Sequence, residues 1–410
     1  MGATVHHGDS IFGGNLRTTG LQVSGHAFLR RRLELALVTG DARMAHDPLR
    51  TQRRAVGVGV LIALLVAGGM VVLALLRPQP SIGDAGLVAD ESGALHVRLG
   101  DSFHPVTNVA SARLLLGTAA EVTDSTARQL AEFPAGPPVG IPQAPGLVPA
   151  DPGAAAVWAL CGTTVVAADA MPDAGPRMLV SGSGHWLVVD GVRMRVPDGG
   201  PRVARALGTE PVELAGDEGE RMVRVLDRGP DIALPSGRSG LPDALSEQGR
   251  LVAAGDRRFV VAGGGLAEVT GARRAVAEAL AGEGPVEMDL GEVLAVPGSE
   301  VLAQVPVDLL FKEAERPCVG EGVVDGPEGV EGAAAYVGPR GTVALTTERG
   351  LVLVSESGVR YSVGSADELA ALGVVGEDRV PVQVPWRVIE PLPDGGELSA
   401  ERARRTVDVG

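Results

Sequence analysis

The chain has 410 residues, a formal net charge of −15, 45% hydrophobic residues and only 3% aromatic ones. That much apolar material excludes a disordered protein. The acidity argues against broad nucleic-acid binding, which needs a basic face, and two cysteines are too few for a disulfide-dense miniprotein or a four-cysteine zinc module.

The length exceeds what one compact unit needs, so two or more lobes are expected. Residues 1–20 read as a disordered N-terminus, and 21–54 as a basic, amphipathic cytoplasmic segment. Within it, Ser24 is expected to cap a helix from about Gly25 to Thr39, with Gly40 as its stop. Leu29, Leu33 and Leu37 recur at helical spacing and form one apolar stripe. The stripe suits contact with a partner's cytoplasmic domain, with the membrane surface as the alternative.

Ala55–Leu76 runs AVGVGVLIALLVAGGMVVLALL, without a charge. At ~1.5 Å per residue it reaches ~33 Å, enough to cross a bilayer core. Lipid offers no partner for free backbone groups, so a helix is required. A cleaved signal peptide would start nearer residue 1 and end in small residues, whereas this stretch ends in Leu75-Leu76-Arg77-Pro78. Asp47 and Pro48 form a favoured helix start. Arg50, Arg53 and Arg54 make a basic collar, and Arg77 alone follows the span. Residues 1–54 carry net +4 and the remainder −19. The positive-inside rule therefore puts the N-terminus in the cytoplasm and 77–410 outside, as a single-pass membrane protein.

Four stretches of the outer segment resemble one another: Leu95–Gly117, His185–Gly208, Arg258–Gly282 and Gly350–Gly373. Each reads as strand, glycine turn, short strand and helix ending in glycine. From the turn glycines Gly100, Gly191, Gly265 and Gly358 to the closing glycines the spans are 17, 17, 17 and 15 residues. The expected fold is a large α+β, β-rich extracytoplasmic domain with a central core and about four small strand-turn-strand-helix repeat lobes. Residues 77–132 form the first lobe, 133–152 a Pro-rich connector over the surface, and 153–349 the core with the second and third lobes. Residues 350–396 form the fourth lobe and 397–410 a C-terminal tail. Val157–Cys161, Val165–Ala168 and Thr342–Thr346 are assigned to the core.

Cys161 and Cys318 both lie in the outer segment, where thiols oxidise. An intramolecular bridge is the leading reading, with buried thiols or an intermolecular bridge as alternatives. Catalytic constellations are not found. The single lysine, Lys312, sits between Phe311 and Glu313, so no Walker loop exists. There is no GxGxxG after a strand, no HExxH, no HxE…PCxxC and no GxSxG. His96 and His104 flank one β-turn and could meet, but a metal would need a third ligand. Catalytic, cofactor and metal sites are accordingly assigned to no residue.

With collar, span, similar stretches and distant cysteines in hand, the chain resembles the EccB family, membrane components of the type VII (ESX) secretion systems of actinobacteria. The likeness begins at LQVSGHAFLRRRLELALVTGDARMAHDPLRTQRRA (Leu21–Ala55). It continues through SGALHVRLGDSFHPVTNVASARLLLG and VGIPQAPGLVP (Val139–Pro149), and ends in DRVPVQVPWRVIEPLPDGG (Asp378–Gly396). The resemblance implies that Cys161 and Cys318 match the family's paired cysteines. It also implies a homo-oligomeric structural subunit of the export complex, assembled with EccC, EccD and EccE and near the mycosin protease. The family also carries an ATPase label. An extracytoplasmic ATP hydrolase or a cell-wall-binding module is the alternative role.

Overall fold

The computed structural model describes residues 20–41, 48–76, 82–241, 243–312, 314–330 and 335–407. The expected N-terminal tail therefore lies outside the described residues, except for Gly20. Contacts divide the chain into two units, Met1–Gln79 and Pro80–Gly410.

Among the described residues the first unit holds two helices. Helix α1, Gly20–Thr39, begins earlier than expected. The Ser24 hydroxyl donates to the Leu21 carbonyl inside the helix (3.0 Å) rather than capping it, as serine can do by bonding back one turn. Gly40 ends the helix at φ +66°, with its amide on the Ala36 carbonyl. Leu29, Leu33 and Leu37 are all exposed. Helix α2, Pro48–Leu76, contains the window Gln52–Leu73, of mean hydropathy 2.7 and with no residue buried.

Among the described residues the second unit contains five sheets. Four share one connectivity: a three-stranded antiparallel meander, a helix, a short strand parallel to the first, a second helix, and a final extended segment parallel to the third. In the first sheet the meander is Leu87–Ala89, Leu95–Leu99 and Ser102–Pro105. Helix α3, Val109–Leu116, leads to Thr123–Asp124, and α4, Ala127–Leu130, leads to Ala135, which bridges to Phe103. The second meander is Arg177–Ser181, Gly184–Val189 and Val192–Val196. It is followed by α5, Gly200–Ala206, then Val212–Glu213, then α6, Gly216–Val225, and Asp227–Arg228. The third has Leu251–Ala254, Arg257–Ala262 and Gly265–Glu268. Helix α7, Gly271–Leu280, the strand Val286–Glu287 and α8, Leu290–Leu294, complete it, with Gly298 bridging to Leu266. The fourth has Val343–Thr347, Gly350–Val354 and Arg360–Val363, then α9, Ala366–Leu372, Val382–Gln383, α10, Trp386–Ile389, and Asp394–Leu398.

The fifth, central sheet pairs the hairpin Val157–Cys161 and Thr164–Ala168 with Pro317–Val319, Val323–Asp325 and Tyr336–Val337. Val343–Thr347, overlapping the Thr342–Thr346 assigned from sequence to this core, instead opens the fourth meander, paired along its whole length with Gly350–Val354. A strand two residues from the next is joined most readily by a hairpin, and local pairing wins.

Strand pleating explains the cores. In the second sheet Met178 and Leu187 face one cluster, shared with α5, α7 and the third sheet. Their neighbours Leu179, Trp186 and Val188 face another, shared with α6 and the central sheet. The fourth sheet repeats this: Val343, Leu345, Val352 and Val354 join the central cluster with α10, while Ala344 and Leu353 pack with α3 and α9. Side chains alternate between faces, so a strand covered on both faces needs a continuous apolar run. Burial contacts therefore run from the third sheet to the second, the centre, the fourth and the first. Helix α11, Ala400–Ala403, buries Ala403 in the cluster shared with α3, while Leu398, placed in the tail by the sequence, ends a strand.

The connector is more than a surface strap. Val139 and Ile141 are buried. Val139 bridges to Val106 and Thr406, Pro149 to Thr342, and the Tyr361 hydroxyl donates to the Gln143 carbonyl at 2.8 Å. Its prolines keep it extended, and that shape lets it fill the seam between the first and fourth sheets.

Candidate functional site

No catalytic pocket was expected, so the residues that hold the molecule together are the ones to place. Cys161 ends one central strand and Cys318 lies in another; their sulfurs are 2.02 Å apart, at disulfide distance, and their Cα atoms 4.4 Å. The neighbouring residues Leu160 and Val319 are register partners, so the sheet itself brings the two cysteines together. Asp325 accepts the Arg316 amide at 2.8 Å and Arg316 Nε donates to the Gly326 carbonyl at 3.0 Å, pinning the segment around Cys318. A Cβ on Gly326 would collide with Cys318 Sγ. Beside the bridge opens a cavity of about 370 Å³, with Glu213, Glu218 and Glu315 around it.

Three of the four turn glycines sit where expected. Gly100, Gly191 and Gly358 have φ of +65°, +77° and +78°, the left-handed region that only glycine enters freely. Asp190 shares the second turn at φ +47°, which suits an Asp-Gly hairpin. The third turn differs. Gly263 and Gly264 take it, at φ +58° and +81°, and Gly265 is already paired with Ala262 in the next strand. A run of three glycines hides which two form the loop; the two-residue turn decides. Of the closing glycines, Gly117, Gly208 and Gly373 are left-handed, but Gly282 is not, because α7 ends at Leu280 with an extended Ala281.

Pro48 is the first residue of α2, and Arg50, Arg53 and Arg54 fall in its first two turns. Asp47 and Arg77 lie outside the described residues. The Cβ positions of Gly57, Gly59, Gly68 and Gly69 have nothing within 4 Å.

The histidines do not meet. His96 pairs with Pro105 and Val97 with His104, so the two rings emerge on opposite faces. His96 Nε2 lies 3.4 Å from Asp90 Oδ2. His104 contacts Ser102 Oγ and the Pro137 carbonyl, both at 3.0 Å. The Asp90 carboxylate is held at about 2, foremost by the Ser92 hydroxyl and also by the Ser92 and Ala94 amides. Among the described residues no three of His, Cys, Asp and Glu cluster to hold a metal.

Two anchoring residues went unread in the sequence. Asn108 caps α3 by accepting from the Ser111 amide (2.9 Å) and also donates to the Ile141 carbonyl (2.7 Å). Arg113 Nη1 donates to the Leu372 carbonyl at 2.7 Å, joining α3 to the end of α9. Asn-x-x-Ser before an apolar run signals the cap; nothing local signals the long-range bonds.

Comparison with known proteins gives a consistent result. The family described as "Type VII secretion system ESX-1, transport TM domain B" (EccB) matches residues 16–243 and 296–409. The unmatched gap contains the third meander and α7. A protein of Mycobacterium tuberculosis (strain ATCC 25618 / H37Rv) named "ESX-1 secretion system ATPase EccB1" is 28% identical, over 94% of each chain. One named "ESX-3 secretion system ATPase EccB3" is 36% identical over 46% of this chain and 39% of its own. Among solved structures, a chain of an intact ESX-5 inner membrane complex has the same fold, with a TM-score of 0.56, 24% identity and 98% of each chain covered. A chain of an EccB3 dimer from the ESX-3 core complex gives 0.57 at 22% identity, covering 78% of this chain and all of that one.

Proposed function

This chain belongs to the EccB family of type VII (ESX) secretion components, and we propose that it is a structural subunit that anchors and stabilises the export complex in the cell membrane. The single observation that carries the reading is α2: a 22-residue window of mean hydropathy 2.7 with none of it buried by the chain's own fold. So oily a surface requires lipid or other helices around it. In this reading α2 crosses once, with the basic segment of residues 1–54 in the cytoplasm, because arginine gathers before the span. The exposed leucines of α1 meet a partner's cytoplasmic domain. The small residues Gly57, Gly59, Gly68 and Gly69 let neighbouring spans approach. The body from Pro80 onward, four copies of one β/α unit around a clasped centre, assembles outside with further copies and with subunits of the EccC, EccD and EccE type and a mycosin protease. The inner-membrane complex and the dimer among the fold relatives support this role.

Protease added to intact spheroplasts should remove the C-terminal bulk and leave α2 with its flank protected. Deleting residues 20–41 should sharply lower recovery of the other membrane subunits with a tagged chain. A body that stays protected while the bilayer is sealed would refute the topology, and undiminished recovery would refute the role of α1.

A further inference from the structure

The body is strongly acidic, yet four guanidinium groups converge on one cleft. Arg221 and Arg224 lie one turn apart on the outer face of α6, whose inner face buries Met222 and Val223. Arg387 stands on α10 and Arg349 precedes the strand Gly350–Val354. These four residues with Glu390 and Pro391 line a cleft of about 270 Å³ where the second helices of the second and fourth sheets meet.

The cluster is largely unpaired, and two of its members, Arg349 and Arg387, are held in place. Among the described residues, Arg221, Arg224 and Arg349 have no carboxylate within ion-pair distance, and Arg387 reaches only Asp227, at 3.9 Å. Glu348, the nearest acid in sequence to Arg349, is engaged with the Trp386 amide at 2.8 Å, and Glu220 accepts the Ser183 amide at 2.6 Å. Arg349 is held over the Trp386 ring, 4.6 Å from its centroid. Arg387 Nη1 donates to the Arg224 carbonyl at 3.2 Å. Behind the cleft Arg193 stacks on Trp186, 5.1 Å from its centroid, with its Nε buried and without a hydrogen-bond partner. Burial pushes the Arg193 guanidinium down, the charges of Arg387, Arg228 and Arg224 add to that, and the Glu220 carboxylate opposes them. Like charges packed this closely repel unless an anion joins them.

We propose that this cleft binds a compact polyanion of the diphosphate class, seated between Arg221 and Arg224 on one wall and Arg349 and Arg387 on the other. Guanidinium forks match phosphoryl oxygens two at a time, and groups already fixed in place lose little freedom on binding. Two linked phosphoryl groups span two walls where a single phosphate meets one. The binding makes or breaks no bond and does not depend on the scaffold reading above.

The test is calorimetric titration of the full chain in a non-ionic detergent with inorganic pyrophosphate, orthophosphate and citrate, alongside Trp386-sensitive fluorescence. Pyrophosphate should saturate one site per chain, at least about tenfold more tightly than orthophosphate, and weaken steeply with salt. Arg387→Gln and Arg349→Gln should each reduce its affinity about tenfold or more, while Arg128→Gln, an exposed residue of α4, should match the parent. Both cleft residues are exposed, and unchanged thermal midpoints without ligand will show the variants folded. Should one be destabilised, the other carries the comparison. Competition by ADP would identify a soluble nucleotide as the source, and competition only by phosphatidylcholine vesicles containing farnesyl diphosphate a lipid headgroup; either supports the class. Absence of saturation, citrate binding as tightly as pyrophosphate, or affinities unchanged in the folded cleft variants would overturn the proposal.

Discussion

The chain has two tyrosines, and both are buried in the clusters that join its sheets. Tyr336 lies against Trp158 in the central cluster, 5.9 Å between ring centroids, and burial raises its pKa well above the usual phenol value. Burial raises Tyr361 too, although its hydroxyl donates to the Gln143 carbonyl. The fold therefore favours the neutral phenols. Their contribution to stability is whole below the unfolded value of about 10 and is lost as pH rises from there toward the folded values. In an alkaline titration, tyrosinate absorbance should rise only together with loss of the native circular dichroism. Ionisation at about pH 10 in a still-native protein would contradict this placement. At this scale sequence reading did well where one residue type has one use, as with Gly100, Gly191 and Gly358. It failed at Gly265, where three equivalent glycines in a row let the pairing of the strands choose.

Among the elements, α3 shows how a local signal acquires a distant duty. Asn108 caps the helix and also holds the Ile141 carbonyl, while the Ser111 hydroxyl accepts the Ile141 amide at 2.8 Å. Asn108→Ala should remove the cap, at about 1 kcal/mol, and strand a half-buried carbonyl, at about 1–3 kcal/mol. Urea unfolding should show a loss of about 2–4 kcal/mol, and Asn108→Asp, which keeps the cap acceptor but loses the donor, should fall between. A loss within error of zero would mean that the connector does not depend on this residue. The strand-turn-strand-helix pattern was legible because its periods are local. The first strands of three meanders and the short parallel strand after each helix escaped notice, and the first strand of the fourth was read as a strand but given to the core. The short parallel strand spans only two residues in each sheet, such as Val212–Glu213, too few to show a period of two.

For the molecule as a whole, closure is the theme. The first and fourth sheets share a cluster through α3, α9 and α11, so the two ends of the body are packed together and the connector runs between them. The Cys161–Cys318 bridge adds a covalent closure across 157 positions. In the chain-entropy model a loop of that length contributes about 5 kcal/mol at most. Guanidinium unfolding of the paired variant Cys161→Ser with Cys318→Ser should lose about 3–5 kcal/mol, and reduction of the parent should reproduce it. Equal stability with and without reductant would show that the central sheet needs no clasp.

Legible in the residues alone was whatever repeats at short range or stands apart in composition: the oily helix, the glycine turns at Gly100, Gly191 and Gly358, and the extended path of the prolines. Each follows from the conformational limits of a few adjacent residues. Strand pairing and packing were needed to tell which sheet Val343–Thr347 joins, that Ile141 is a core residue, that His96 and His104 face apart, and that Arg221, Arg224, Arg349 and Arg387 share a cleft. The strand and histidine outcomes turn on the register of neighbouring strands, the others on packing between segments up to about 260 positions apart, and no local period encodes them.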